Sequence, residues 1–229
     1  GDIQKIEYMY NEQNHDVCDP NFWQSPNNIN LHGFFQSTFY FKEFDEQIRK
    51  EFTLRDKFVN EALEFINKLK EENNNKEIVS VHLRRGDLTD GTNDISNNYY
   101  GKDGELSDDS ICGNYLNKAL SHFDDDKYIF LLFTGGSREG DDNNKDVSWL
   151  KDNLKGSNFF YSGIKTTLED FALIKECDHN IMSHSSSFGW WAAYLNSNPN
   201  KKVIAPKDYS MEPDSWNREG FYPDNFILI

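Results

Sequence analysis

Cysteine is scarce in this chain of 229 residues, and its three copies, Cys18, Cys112 and Cys177, are far apart. An odd number of distant cysteines fits neither a disulfide framework nor the paired ligand spacing of a zinc site. The sequence therefore predicts no disulfide or zinc scaffold, and it favours a reducing compartment.

Long apolar runs and basic residues are also in short supply. No stretch approaches the roughly 20 apolar residues of a membrane span. Against 39 acidic residues stand only 24 basic ones, so the formal net charge is −15. This charge argues against nucleic acid as a partner, although a small anion needs only a local positive site. The Gly-x-Gly-x-x-Gly, Walker and Gly-x-Ser-x-Gly patterns are missing too, which disfavours the commonest dinucleotide-binding, NTPase and hydrolase classes.

Aromatic residues are plentiful at 15 %, so a sizeable core can form although only 37 % of the residues are hydrophobic. Apolar strands, among them 78–82 and 128–134, alternate with amphipathic helices from residue 78 to residue 206. This alternation predicts an α/β fold with a Rossmann-like, mostly parallel sheet and helices on both faces. We expect residues 1–75 to form a less regular N-terminal piece and residues 76–229 the ligand-binding domain.

An arginine pair follows the first strong strand directly, in the run Ile78-Val-Ser-Val-His-Leu-Arg-Arg-Gly-Asp87. Ligands of open parallel sheets bind beyond the carboxyl ends of the strands, where Arg84 and Arg85 are expected. Two guanidinium groups there can clamp a phosphate or diphosphate. Gly86 lets the backbone turn, and Asp87 can orient a guanidinium or accept a hydrogen bond from a hydroxyl. A purely structural Arg–Asp pair is the other interpretation, and the pattern leaves both open.

Two further segments are candidates for binding an anion or a nucleotide. Hydroxyls and backbone N–H groups converge at a predicted helix start formed by Ser185, Ser186 and Ser187. The strand predicted at 128–134 ends in a glycine pair beginning at Gly135, which permits close backbone approach to a base or ribose. The alternatives are a plain helix cap and a simple turn.

Together and in this order, the segments resemble glycosyltransferase family 11, the α-1,2-fucosyltransferases. The resemblance extends over nearly the whole chain from about residue 6. The matching motifs are Gly33-Phe-Phe-Gln-Ser37, Val81-His-Leu-Arg-Arg-Gly-Asp87, Ser185-Ser-Ser-Phe-Gly-Trp-Trp-Ala-Ala-Tyr-Leu195 and Asn198-Pro-Asn-Lys-Lys-Val-Ile-Ala-Pro-Lys207. It implies a GT-B-like fold and the inverting transfer of fucose from GDP-fucose to the 2-hydroxyl of a terminal β-galactoside, without a metal. Residues 76–229 would then be the donor-binding domain.

The resemblance also implies roles for individual residues. Arg84 would contact the β-phosphate of GDP-fucose, supported by Arg85 and Asp87. The Ser185–Ser187 turn would add further phosphate contacts. Inverting transfer also needs a general base for the acceptor hydroxyl. Asp87 is the first candidate because it lies within the motif, and His82 and residues of the loop predicted over 88–112 are weaker candidates.

The chain departs from the family pattern at a few places. The usual N-terminal strand and its Gly-Gly-Leu-Gly-Asn-Gln loop are absent, so we expect the N-terminal part of the fold to be incomplete. Gly135 and Gly136 stand where an acidic pair is usual, and Gly189 replaces a serine. Two other functions therefore stay open: a GDP-sugar-binding module without turnover, and a transferase for a different sugar nucleotide.

Overall fold

The computed structural model divides into two compact units. The smaller comprises Gly1–Phe52 and Asp214–Asp224, and the larger comprises Thr53–Pro213 and Asn225–Ile229. The domain boundary predicted after residue 75 stays a prediction. The structure describes residues 8–12, 18–86, 99–101, 106–135, 141–163, 166–208 and 220–229, with the side chains of 141–144 excepted.

The smaller unit is held together by aromatic contacts more than by regular structure. Its elements are parallel strands β1 (Tyr8–Asn11) and β2 (Ile29–His32), three short 3₁₀ turns (Pro20–Gln24, Thr38–Tyr40 and Lys42–Phe44) and helix α1 (Asp45–Glu51). The ring centroids of Phe22, Phe35 and Tyr40 lie 5.0 to 5.7 Å apart in edge-on or tilted pairs. Such pairs add to the free energy gained by burying the rings, so they compensate for the scarcity of backbone pairing.

The larger unit is an α/β fold with one six-stranded sheet. Its strands are β3 (Glu77–Arg84), β4 (Tyr128–Gly135), β5 (Phe159–Tyr161), β6 (His179–Ile181), β7 (Val203–Ala205) and β8 (Ile227–Leu228). Its helices are α2 (Asp56–Glu72), α3 (Ile111–Leu120), α4 (Asp141–Asn153), α5 (Thr167–Glu176) and α6 (Ser187–Leu195). Every pairing in the sheet is parallel, so the α/β, Rossmann-like prediction is confirmed and the sheet is more uniform than expected.

Two apolar layers cover the faces of the sheet because successive side chains of a strand point to opposite sides. Val79, Val81 and Leu83 pack in one layer with residues of α3. Ile78 belongs to the other layer, with residues of α2, α5 and α6. Strands β3 and β4 are therefore buried on both faces, which explains why each is a continuous apolar run.

The strand order is β5-β4-β3-β6-β7-β8, so its direction of growth reverses at β3. The chain first adds β4 and β5 on one side of β3 and then returns to place β6 on the other side. This is the order of Rossmann folds, whose ligands bind beyond the carboxyl ends of the strands at the reversal. In the larger unit, this binding place is predicted where the carboxyl ends of β3 and β6 lie side by side.

A network of buried amides joins β3 and β6 to the helices beneath them. Asn180, which is 1 % exposed, donates through Nδ2 to Ser80 Oγ and to the carbonyl of Ile174, both at 2.8 Å. Asn196 donates in turn to Asn180 Oδ1 over 3.0 Å. The network fixes β6 against β3, because each buried polar group depends on its partners for hydrogen bonding.

We expect Asn180→Ala to lower the free energy of unfolding by roughly 2–4 kcal/mol, because it leaves buried partners unsatisfied. Urea denaturation followed by circular dichroism measures this loss. The control is Asn117→Ala, which removes an exposed 2.8 Å hydrogen bond to Asp108 and should change stability by less than about 0.5 kcal/mol. Equal losses in the two variants would contradict the role given to the network.

Candidate anion site at the strand reversal

The arginine motif and the serine-rich motif meet at the carboxyl ends of β3 and β6. The two strands pair in parallel with Val81 opposite Ile181. Just beyond this pair, the backbone N–H of Arg84 donates to the hydroxyl of Ser183 over 2.9 Å. Residues that lie 99 positions apart in the sequence are thus bonded to each other.

Arg84 also reaches across to the segment that begins α6. Its Nη1 donates to the carbonyl of Ser185, whose φ of 48° lies in the left-handed region. The hydroxyl of Tyr100 donates to the carbonyl of Arg84. Backbone and side chain are both held, and the residue stays partly exposed. We call Arg84 together with Ser185, Ser186 and Ser187 the crossover site.

The serines of the crossover site play different parts. Ser186 is the N-cap of α6, and its buried Oγ accepts from the N–H of Gly189 over 3.2 Å. Ser187 is exposed in the first helical position. The backbone N–H groups of a first helical turn carry partial positive charge and bind anions. Beside the Arg84 guanidinium, they give a local positive site in a strongly acidic chain.

Arg85 is buried beside Trp149, in the layer that contains Val79, across the sheet from the layer that contains residues of α6. Its Nε donates to Asp146 Oδ1 over 3.1 Å, and its guanidinium carbon lies 3.7 Å from the ring centroid of Trp149. A structural Arg–Asp pair thus exists, with an aspartate of α4 that the sequence does not single out. Arg85 Nη1 is buried and has no hydrogen-bond partner among the described residues. Its contact with the donor phosphate stays a prediction.

Gly86 follows in a turn with φ of 62°, where glycine is unstrained. Its N–H donates to the second carboxylate oxygen of Asp146 over 3.0 Å. Asp87, the next residue and a predicted base, lies outside the described residues. Gly135 ends β4 opposite Arg84 in register, with φ of 115°. A role for Gly135 in binding the base or ribose also stays a prediction.

His82 is buried between β3 and the start of α6. Burial, and to a lesser extent the charge of Arg84, lowers the pKa of His82 to about 4, so the imidazole is neutral at neutral pH. A β-carbon placed on Gly189 would lie 2.9 Å from His82 Nδ1, which shows how closely the helix packs on the ring. The structure therefore places His82 behind the crossover site, and its role as a base stays a prediction.

His184, between the serines of the second motif, is a core residue. Its Nδ1 lies 3.0 Å from the hydroxyl of Tyr99, and its ring packs edge-on against Tyr115. Burial lowers the pKa of His184 to about 4. The neutral imidazole of His184 bonds to one tyrosine and packs against another. It therefore contributes to core packing at the end of β6 rather than to chemistry at an exposed site.

The described part of the chain holds no group of three or more His, Cys, Asp or Glu side chains that could bind a metal ion. None of the helices in that part is both long enough and apolar enough to cross a bilayer. None of the three cysteines forms a disulfide bond, and Cys112 and Cys177 are buried.

The family model of glycosyl transferase family 11 matches residues 5–228. The chain belongs to this family. Human galactoside alpha-(1,2)-fucosyltransferase 1 is 30 % identical over 177 residues, which cover 73 % of this chain and 43 % of the human protein. The rat protein of the same name is 32 % identical over 177 residues, covering 73 % of this chain and 42 % of the rat protein. The match thus spans less than half the length of these relatives.

The close packing at Gly189 gives a test of how His82 is held. We expect Gly189→Ala to lower the free energy of unfolding by roughly 1–3 kcal/mol, because the added methyl group collides with the ring. In a His82→Ala background the same substitution should cost less than about 0.5 kcal/mol, since the obstacle is gone. Equal costs in both backgrounds, measured by urea denaturation, would contradict this packing.

Proposed function

We propose that this family 11 chain transfers fucose from GDP-fucose to the 2-hydroxyl of a terminal β-galactoside, with inversion at the anomeric carbon. The observation that supports it best is the Arg84 guanidinium held at the start of α6, where the strand order reverses. Family membership supports the transfer of a glycosyl group. The relatives named as galactoside alpha-(1,2)-fucosyltransferases support the fucosyl group, the galactoside acceptor and the linkage.

The chemistry of the leaving group explains why a cation is needed here. When the bond between the fucose anomeric carbon and the β-phosphate oxygen breaks, the electron pair stays on GDP and its diphosphate gains negative charge. Arg84 is assigned to the β-phosphate, because a guanidinium can bind two phosphate oxygens at once. The N–H groups around Ser187 would bind a further oxygen. Interactions that strengthen as charge develops lower the activation barrier.

The acceptor must lose a proton while its oxygen attacks the anomeric carbon from the face opposite GDP. We assign this proton to the carboxylate of Asp87, which follows the turn held at Gly86. His82 is the second candidate. It is neutral at neutral pH and so able to accept a proton, but it is buried against Gly189.

We expect Arg84→Ala to weaken GDP binding by about 2–4 kcal/mol, or roughly 30- to 1,000-fold in Kd. Arg84→Lys should be intermediate, because an ammonium group is a point charge without the paired donors of a guanidinium. Isothermal titration calorimetry with GDP measures both. The control is Arg49→Ala, which removes an arginine paired with Asp45 on α1. An Arg84→Ala affinity equal to that of this control would contradict the assignment.

Transfer itself is tested with radiolabelled GDP-fucose and lactose. The expected result is labelled lactose with the wild-type chain, and none with Asp87→Asn at unchanged GDP affinity. GDP binding without any transfer would instead support a binding module without turnover. Transfer from another sugar nucleotide alone would support a different donor. If neither GDP nor GDP-fucose raises the Tm, the donor site is wrongly assigned.

A further inference from the structure

We propose that Asp146 is a positioning residue of the donor site. It fixes the turn that follows Arg84 and thereby the direction in which Arg84 presents its guanidinium. This inference rests on the proposed function, because it assigns Asp146 to the same diphosphate site. Asp146 lies on α4, 60 positions after Gly86, and nothing in the arginine motif points to it.

The contact is a two-point one. Oδ1 of Asp146 accepts from Arg85 Nε over 3.1 Å, and Oδ2 accepts from the Gly86 N–H over 3.0 Å. One carboxylate thus holds the side chain of one residue and the backbone of the next, both directly after Arg84. Asp146 is 1 % exposed, so water cannot replace it easily if it is removed.

Arg85 balances the charge of this buried carboxylate. Its guanidinium carbon lies 3.7 Å from the ring centroid of Trp149 and 4.8 Å from that of Tyr100. Aromatic faces on a guanidinium stabilise the cation while excluding water. A buried carboxylate without such a cation would be strongly destabilising. In this arrangement Arg85 stabilises Asp146, and Asp146 holds the turn.

Arg84 is held from two directions as a result. On the β6 side, Ser183 accepts from its N–H over 2.9 Å. On the α4 side, Asp146 accepts hydrogen bonds from the two residues that follow Arg84, namely Arg85 and Gly86. Tyr100 links the two sides, because its hydroxyl donates to the Arg84 carbonyl. Loss of the α4 contact is therefore expected to shift the guanidinium without unfolding the β3–β6 pair.

Asp178 is a matched control at the opposite end of β3. Its carboxylate accepts from Lys70 Nζ and from the N–H of Ile78, each over 2.8 Å. Like Asp146, it accepts hydrogen bonds from a cationic side chain and from a backbone N–H that lies in β3 or close to its end. Because it lies at the amino end of the strand, its loss should lower stability and leave ligand binding unchanged.

The test is a calorimetric titration of the full chain with GDP and, separately, with inorganic pyrophosphate, below the unfolding temperature of every variant. Asp146→Asn keeps the side-chain size but loses the charge and one acceptor. It should raise Kd for both probes roughly 10- to 100-fold, the scale on which small misplacements act. Asp178→Asn should stay within about twofold although its Tm also falls. In an Arg84→Ala background, Asp146→Asn should add less than about twofold, because it acts through Arg84.

Equal weakening by Asp146→Asn and Asp178→Asn would overturn the positioning role and leave the proposed function standing. So would an undiminished effect of Asp146→Asn in the Arg84→Ala background. A wild-type chain that binds pyrophosphate but not GDP would contradict the proposed function, while the pyrophosphate titrations still decide the role of Asp146. A wild-type chain that binds neither would overturn both.

A second variant covers the case in which Asp146→Asn does not fold, as judged by circular dichroism. Asp146→Glu keeps the negative charge beside Arg85, but its extra methylene displaces the two-point contact. It should fold and still raise Kd for GDP and pyrophosphate by about threefold or more. Wild-type affinity in a folded Asp146→Glu chain would overturn the inference.

Discussion

The pairing of β3 with β6 is the contact on which the candidate site depends. In the described part of the chain, β4, β5 and the helices α3, α4 and α5 lie between these two strands, which become neighbours because the strand order reverses at β3. That reversal brings Arg84 against Ser183 and Ser185. It also places a guanidinium beside a helix start, two groups that each favour an anion. A local positive site thereby forms in a chain whose net charge is −15.

Strand β3 is fixed at both ends by the same device. An aspartate accepts from a cationic side chain and from a backbone amide: Asp178 with Lys70 at the amino end, and Asp146 with Arg85 at the carboxyl end. Between them the strand is buried on both faces. Binding groups on such a constrained strand keep their geometry better than groups on a loop. The end of β3 is therefore a favourable place for binding an anion.

Local patterns in the sequence predict most of the larger unit. Apolar runs mark β3 and β4. The pattern Thr166-x-x-Glu169 is typical of a capping box, and such a box does open α5. The spacing of Leu116, Ala119, Leu120 and Phe123 predicts a helix over about 114–123. In the structure this helix, α3, begins earlier, at Ile111, because the Ser110 hydroxyl caps it by accepting from the Gly113 N–H. Long-range partners are harder to predict. Asp146 lies in a helix that the spacing of Val147, Leu150 and Leu154 predicts over about 145–154, but only tertiary packing shows that this aspartate meets Arg85. By contrast, the rule that ligand sites of parallel sheets lie beyond the carboxyl ends of the strands is enough to predict that Arg84 lies near the serine motif.

The most direct test of the donor site is an NMR titration of the ¹⁵N-labelled chain with GDP. The account predicts the largest amide shifts at Arg84, Gly86 and Ser187, around the carboxyl ends of β3 and β6. Amides at the amino ends of the same strands, such as Glu77 and His179, should hardly move. Shifts that centre on the amino ends, or that leave Arg84 and Ser187 unchanged at saturating GDP, would contradict the central claim.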